Sequence, residues 1–181
     1  MTEHKVAVIG LGIMGRRMLA NLERHPAFQI AGMWDPSENS LAKAREAFPA
    51  ALKGDSPSAL IKSSVSDLVY IACPPEWHKH YAIMAMEAGV AVYTEKPLGV
   101  DIAESEDLVE RLEETGTPNV VNFIQASCEA LELTQAALTR GEIGEVQGVD
   151  IVVQYQQWPR IWQVEADWLR FRAAGGYVRE V

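Results

Sequence analysis

Three glycines near the start of the chain have the spacing of a loop that receives phosphate groups. Gly10, Gly12 and Gly15 follow a β-branched run at residues 5–9, which predicts a buried strand, and a helix begins near Ile13. In this arrangement the first glycine permits a tight turn, the second lets a pyrophosphate approach the backbone, and the third lets helix and strand pack closely. The amides at the helix N-terminus then face the phosphates. The pattern predicts a dinucleotide-binding site rather than an ordinary glycine turn.

An acidic residue follows at the distance that such a site requires. Asp35 ends the next predicted strand, 20 residues after Gly15, where a carboxylate can accept the hydroxyls of a ribose. A carboxylate there repels a 2′-phosphate, and residues 36–38 offer no lysine or arginine to neutralise one, so NAD is favoured over NADP. Arg16 and Arg17, on the first predicted helix, keep NADP open as an alternative.

A second group of polar residues, CPPEWH at positions 73–78, follows a central predicted strand. Its two prolines hold the loop backbone, and the next helix again presents its N-terminus. We expect His78 to pack against or cap this turn rather than to catalyse. We expect Cys73 to be a small packed residue, because no base is evident beside it.

A third group, Glu95-Lys96-Pro97, follows another predicted strand, in the crevice where open α/β sheets bind ligands. Surface pairs of glutamate and lysine are common and usually indicate only solvation. At the end of a strand in a cofactor-binding domain, however, Lys96 can reach ribose and substrate oxygens. It would then steer a substrate hydroxyl or relay its proton.

The elements that must position these residues alternate along the chain. Strands are predicted near residues 5–9, 28–34, 67–72, 90–94 and 119–123, with helices between them. Such alternation predicts an α/β fold, a parallel doubly wound Rossmann sheet with right-handed crossovers, over residues 1–122. Apolar and polar residues alternate over 145–155, which predicts a strand of a mainly antiparallel sheet. We therefore expect residues 123–181 to begin a second α/β domain of a longer protein.

Composition narrows the class of protein. Hydrophobic residues make up 48% of the 181 positions, which supports a packed core, and a net charge of −9 argues against a nucleic-acid surface. Two cysteines suggest no disulfide framework and fit a reducing compartment. The first strand begins by Lys5, which leaves no room for a signal peptide, and no apolar run approaches the length that spans a membrane. We expect a cytoplasmic protein that binds neither nucleic acid nor membrane.

Taken together, these motifs resemble the Gfo/Idh/MocA oxidoreductases, whose members include glucose–fructose oxidoreductase and inositol dehydrogenase. The matching pieces are GLGIMG, ACPPEWHKHYA and AGVAVYTEKPLG, followed downstream by GEIGEV and DWLRFRAAGGYVREV. The combination of CPP-x-x-H with a later EKPLG is specific, whereas the glycine spacing alone is not. The resemblance runs over the whole chain and covers about the first half of the usual protein.

The resemblance implies roles for individual residues. In the family the pyrophosphate lies on the glycine loop and its helix, the adenosine ribose on the acidic residue, and the nicotinamide half beside the later loops. Carried onto this chain, the implied cofactor-binding residues are Gly10, Gly12, Ile13, Met14, Gly15, Asp35, Cys73, Pro74, His78, Glu95 and Lys96. The lysine of the EKP motif touches both the nicotinamide ribose and the substrate, so Lys96 is implied as catalytic. The resemblance also suggests a cis peptide before Pro97.

The resemblance is incomplete at the catalytic acid–base residues. Aligning Gly175-Gly176 with the family's later glycine run puts Glu180 where an aspartate is usual, and the expected histidine would fall beyond Val181. Glu180 is thus implied to orient that histidine, and a structural ion pair with Arg179 stays open as the alternative interpretation. The segment IQASCEAL also lacks the family's usual arginine and proline pattern, which bears on substrate and interface.

The implied activity is hydride transfer between a nicotinamide cofactor and a secondary alcohol or ketone of a sugar, cyclitol or related polyol. The family also implies a homo-oligomer formed through the second domain. Two alternatives stay open. IGLGIMGRRMLANL resembles the start of β-hydroxyacid dehydrogenases, although TEKPLG and the alternating strand speak against that family. A non-catalytic nucleotide-binding regulator on the same fold is the other, because fold does not fix function.

Overall fold

The computed structural model describes residues 3–62, 64–152, 154–157, 160, 164 and 166–174. The chain divides into two compact units. The first consists of the residues up to Asn122 together with the segment that begins at Asp167, and the second is Phe123–Ala166. Glu180 and the glycine pair at 175–176 lie outside the described residues.

The first unit is built on a five-stranded sheet in which every pair of neighbouring strands is parallel. The strands are β1 (His4–Ile9), β2 (Phe28–Trp34), β3 (Leu68–Ile71), β4 (Ala91–Thr94) and β5 (Asn119–Val121). Their order across the sheet is β2-β1-β3-β4-β5. The chain therefore moves outward from β1 in one direction and then in the other, which is the doubly wound arrangement. The predicted Rossmann fold is confirmed.

Helices connect the strands and cover both faces of the sheet. They are α1 (Ile13–Arg24), α2 (Glu38–Ala47), α3 (Pro57–Leu60), α4 (His78–Glu87) and α5 (Ile102–Thr115), and a 3₁₀ turn at Pro75–Trp77 precedes α4. Side chains cap three of their N-termini: Ser37 caps α2, Ser56 caps α3 and Asp101 caps α5. Gly116 ends α5 with φ of +64°, the left-handed conformation that glycine adopts most easily.

Two hydrophobic clusters lie on opposite faces of the sheet, because alternate residues of each strand point to opposite sides. On one face, strand residues pack against α1 and α2; the fully buried members there include Val6, Val8, Leu19, Met33 and Ala44. On the other face they pack against α4 and α5; the fully buried members there include Ala7, Ile9, Val69, Ala82 and Leu108. The two clusters hold the carboxyl ends of β1, β2, β3 and β4 in fixed relative positions. The predicted site residues that the structure describes lie at or just after those ends.

The described residues of the second unit include a 3₁₀ turn at Ile124–Ser127 and the helix α6 (Glu129–Thr139). The strand predicted over 145–155 does not form in the described part of that segment, and Val149 and Ile151 are 75% and 81% exposed. A strand needs a neighbour to satisfy its backbone hydrogen bonds, and among the described residues none pairs with this segment. Alternating apolar and polar residues indicate that a segment can pair in a sheet, but they do not provide the neighbouring strand that such pairing needs.

No helix in the described part of the chain is both long enough and apolar enough to cross a bilayer.

Candidate functional site

The glycine loop lies between β1 and α1, in contact with the end of β3. Gly10 has φ of +90°, and a Cβ atom there would lie 2.5 Å from the amide nitrogen of Cys73. A further bond ties the loop to β2, because the Gly10 amide donates to the Trp34 carbonyl at 2.9 Å. Only glycine tolerates both this backbone conformation and this proximity.

The other two glycines have opposite surroundings. A Cβ on Gly15 would lie 1.8 Å from the carbonyl oxygen of Gly10, so the absence of a side chain lets α1 rest directly on the loop. A Cβ on Gly12 would meet no atom within 4 Å. The space above Gly12 is therefore open to a ligand that approaches the main chain.

The N-terminus of α1 adjoins this open space. Gly12 is its N-cap, and among the residues that the structure describes no side chain caps the helix, so the amides of the first turn, which includes Ile13 and Met14, can donate to a ligand. The aligned peptide dipoles give this end a partial positive charge. Both properties favour a phosphate.

Asp35 lies beside the glycine loop, just past the end of β2. Its Oδ2 accepts from the Leu11 amide at 2.7 Å, and its Oδ1 accepts from the Ser37 amide at 2.8 Å. Two amides from different segments thus fix the orientation of the carboxylate. Each oxygen retains a second lone pair that can accept a hydroxyl.

The loop after β3 brings Cys73, Pro74 and the 3₁₀ turn to the same end of the sheet. Burial, the largest influence, raises the pKa of the Cys73 thiol to about 12, and nearby carboxylates act in the same direction. The thiol is therefore protonated at neutral pH and is a poor nucleophile. Aromatic rings flank this loop: Trp77 stacks on Tyr81 with centroids 6.3 Å apart.

His78 is almost completely buried, with 1% of its surface exposed. Its Nε2 lies 2.8 Å from the carbonyl oxygen of Cys73, and its Nδ1 lies 2.8 Å from that of Pro97. Burial is the largest influence on the pKa of His78 and lowers it, whereas the two carbonyls oppose that change. Packing at the turn agrees with expectation, but the link to Pro97 was not predicted. With so little surface exposed, His78 shapes the loops rather than presenting its ring to a ligand.

Glu95 follows β4 and is 5% exposed. Its Oε1 accepts from the Tyr70 hydroxyl and from Asn122 Nδ2, the latter at 2.6 Å. Tyr93 donates in turn to Asn122 Oδ1 at 2.9 Å. Burial, followed by the charge of Glu95, raises the pKa of Tyr70, so this tyrosine acts as a neutral donor. The network holds the Glu95 backbone beside Lys96.

Sequence reasoning missed Tyr70, Tyr93 and Asn122 as supports of Glu95. A signal was present, because Tyr70 and Tyr93 occupy equivalent positions in β3 and β4 and are register partners in the sheet. Their rings meet edge to face with centroids 5.1 Å apart. A polar aromatic residue repeated one position before the end of two neighbouring strands indicates a polar contact at that edge.

Lys96 lies between this network and a cis peptide bond to Pro97. The cis bond was implied by the family resemblance and is present. Lys96, Asp35 and the glycine loop all lie at the carboxyl edge of the sheet, where open α/β folds bind ligands. The described residues contain no group of three or more histidine, cysteine or acidic side chains able to hold a metal.

Comparison with known proteins agrees with this architecture. The family described as "Oxidoreductase family, NAD-binding Rossmann fold" matches residues 4–123. The chain is 28% identical over 146 residues to scyllo-inositol 2-dehydrogenase (NAD(+)) of Bacillus subtilis, covering 79% of this chain and 43% of that protein. It is 27% identical over 139 residues to 2,7-anhydro-N-acetylneuraminate hydratase of Escherichia coli, covering 77% of this chain and 37% of that protein.

Among solved structures, scyllo-inositol dehydrogenase from Lactobacillus casei with bound NAD(H) and scyllo-inositol superposes with a TM-score of 0.74. The identity there is 19%, and the match covers 80% of this chain and 43% of that one, so it shows a shared fold. The chain spans about two fifths of the length of the two curated relatives described above. On the family match and the geometry together, this chain belongs to the Gfo/Idh/MocA oxidoreductase family with the NAD-binding Rossmann fold.

Proposed function

We propose that this chain binds NAD and is the cofactor-binding part of a dehydrogenase that acts on a secondary alcohol of a sugar, cyclitol or related polyol. The observation that carries the proposal is the open main chain above Gly12, next to an uncapped helix N-terminus and the fixed carboxylate of Asp35. These features suit a pyrophosphate and its adjoining ribose. The names of the inositol dehydrogenase relatives support a polyol substrate.

The residues around the glycine loop suit the pyrophosphate and the adenosine ribose of NAD. The main chain at Gly12, Ile13 and Met14 would hold the pyrophosphate, and Asp35 would accept the ribose hydroxyls. Asp35 also favours NAD over NADP, because its negative charge would repel a 2′-phosphate. Four of the remaining predicted contacts lie on the loops after β3 and β4: Cys73, Pro74, Glu95 and Lys96. The fifth, His78, is the first residue of α4, and because its ring is buried it would act through these loops rather than by touching the cofactor.

In the proposed reaction a bound nicotinamide would supply the acceptor for the hydride of the alcohol carbon. The Lys96 ammonium would donate a hydrogen bond to the substrate oxygen and stabilise the negative charge that develops there. A base would accept the hydroxyl proton. That Glu180 orients this base stays a prediction. The buried Tyr70–Glu95–Asn122 network would keep the backbone at Lys96 rigid, because a small displacement of a positioning group is costly to the rate.

Membership of this family favours the proposal over a β-hydroxyacid dehydrogenase. A nucleotide-binding regulator on the same fold would also bind NADH but would turn over no polyol, so the two differ in a direct assay. The relative named as a hydratase adds a third outcome, a reaction with no net change in the cofactor.

We also propose that the whole protein is a cytoplasmic homo-oligomer. Gel filtration with light scattering would test its oligomeric state.

The experiment uses the protein with its second domain present. NADH binding is measured by fluorescence titration, and turnover of inositols and aldoses is followed both by NADH absorbance and by mass spectrometry of the substrate. We expect saturable NADH binding and NAD reduction with at least one polyol. Binding without conversion of any substrate would support the regulator, and failure to bind NADH or NADPH would refute the proposal altogether.

A further inference from the structure

The ring of His78 joins two loops that are separate in sequence. One loop follows β3 and contributes the Cys73 carbonyl; the other follows β4 and contributes the Pro97 carbonyl, each 2.8 Å from a ring nitrogen. The Pro97 carbonyl belongs to the residue immediately after Lys96. His78 therefore contacts the main chain next to the predicted catalytic lysine from a position 19 residues before Pro97.

The chemistry of imidazole makes this arrangement informative. Both neighbours are acceptors; a neutral imidazole has one N–H to offer, whereas the cation has two. Around the ring, Glu95 and Glu104 favour the cation, as do both carbonyls, and burial opposes it. The cation donates to both carbonyls, whereas the neutral ring donates to one of them and packs against the other, so the ring stays in contact with both loops in either charge state.

Two hydrogen bonds from backbone amides hold the ends of the second loop, and the side chain of Leu98 packs against the hydrophobic cluster on the α4–α5 face of the sheet. The Glu95 amide donates to the Ile71 carbonyl at 2.8 Å, which extends the β3–β4 pairing by one residue. The Val100 amide donates to Glu104 Oε2 at 3.0 Å, which holds the loop against the start of α5. His78 contacts the loop between these two points, at Pro97.

We propose that His78 is a positioning residue for Lys96. It ties the loop after β4 to the loop after β3 and so fixes the position of the lysine at the carboxyl edge of the sheet. This inference rests on the proposed function only for its effect on the rate. The tie itself is a property of the fold and can be measured without substrate.

The first experiment compares His78→Leu and His78→Gln with His80→Gln in the protein that carries its second domain. His80 is a matched control, since it lies two residues along the same helix and is exposed. We expect kcat to fall about 10- to 100-fold in His78→Leu, because displacing a catalytic group by about 1 Å has effects of that order. His78→Gln, which keeps one donor, should fall less, while NADH affinity stays close to that of the wild type in all three. A loss confined to NADH affinity would overturn the proposal.

A double-mutant cycle with Lys96→Ala separates positioning from general stability. If His78 acts through Lys96, replacing His78 in the Lys96→Ala background should change kcat by less than about 3-fold, because coupled residues are strongly non-additive. Independent losses that multiply in the double variant would show that His78 does not act through the lysine.

Amide hydrogen exchange of residues 95–101 tests the tie whether or not a substrate is found. We expect exchange there to rise in His78→Leu and to be unchanged in His80→Gln. If His78→Leu does not fold, His78→Gln, which retains one donor, is expected to show a smaller rise. Exchange equal to the wild type in every folded His78 variant would refute the tie. If the wild type converts no substrate while exchange of residues 95–101 rises in His78→Leu, the proposed function is refuted and the role of His78 in holding the two loops together is supported.

Discussion

Replacing Gly15 and Gly12 by alanine in separate proteins should produce opposite phenotypes. A Cβ at residue 15 would lie 1.8 Å from the Gly10 carbonyl oxygen, against the 3.0 Å below which real Cβ contacts are essentially never seen. The atom it meets is main chain that cannot rotate aside, so α1 must move away from β1 by more than 1 Å. Overpacking of this kind costs about 1–3 kcal/mol or more. The higher helix propensity of alanine offsets only about 1 kcal/mol of that cost.

At Gly12 the same added methyl group meets no atom within 4 Å, and the backbone has φ of −64°, which alanine adopts readily. Alanine is a poorer N-cap than glycine by up to about 1 kcal/mol, and the less flexible unfolded chain returns about 0.4–1 kcal/mol. Stability should therefore change little. The methyl group would occupy the space through which a pyrophosphate approaches, and a clash of about 1–3 kcal/mol there weakens NADH binding about 5- to 150-fold.

Urea unfolding followed by circular dichroism measures the first effect, and NADH titration measures the second. Gly15→Ala should lower the urea midpoint, whereas Gly12→Ala should keep the midpoint and lose affinity. Each variant is the other's control, since the chemical change is identical. A Gly12→Ala protein that binds NADH as tightly as the wild type would refute the assignment of this loop as the phosphate site. An unchanged midpoint in Gly15→Ala would refute the packing argument.

Three further predictions concern single side chains. Lys96→Ala should lower turnover about 10²- to 10³-fold with little change in NADH affinity, because the lysine acts on charge that develops during reaction; equal turnover in the variant would remove Lys96 from the mechanism. Asp35→Asn should weaken NADH binding about 10-fold, because an amide has one acceptor where the two backbone amides require two; unchanged affinity by titration would contradict this. Cys73, whose pKa is about 12, should carry thiolate in about one molecule in 10⁴ at pH 8. Iodoacetamide should then label the exposed Cys128 first, as read by peptide mass spectrometry, and labelling of Cys73 should rise with pH; equal rates in the folded protein would show that the Cys73 thiol is accessible.

Much of the first unit follows from local sequence pattern. The β-branched run before Gly10 is a strand, the glycine spacing is a strand–turn–helix unit, and Asp35 lies at the end of β2, all as predicted. These features are encoded within a few residues, because strand and helix periodicity and the conformational freedom of glycine are short-range properties. The alternating segment after residue 145 shows where local pattern stops being enough, since strand formation depends on a neighbouring strand.

The sequence by itself determined the order of strands and helices, the glycine loop and the residues at the ends of β2, β3 and β4. Only the tertiary structure decided what those residues touch. The partners of His78 and Glu95 include Pro97, Tyr70 and Asn122, which are 19, 25 and 27 positions away in the chain. Such contacts depend on the register and order of parallel strands, which packing of both sheet faces settles collectively. No local pattern carries that information, because it arises only when distant strands lie side by side.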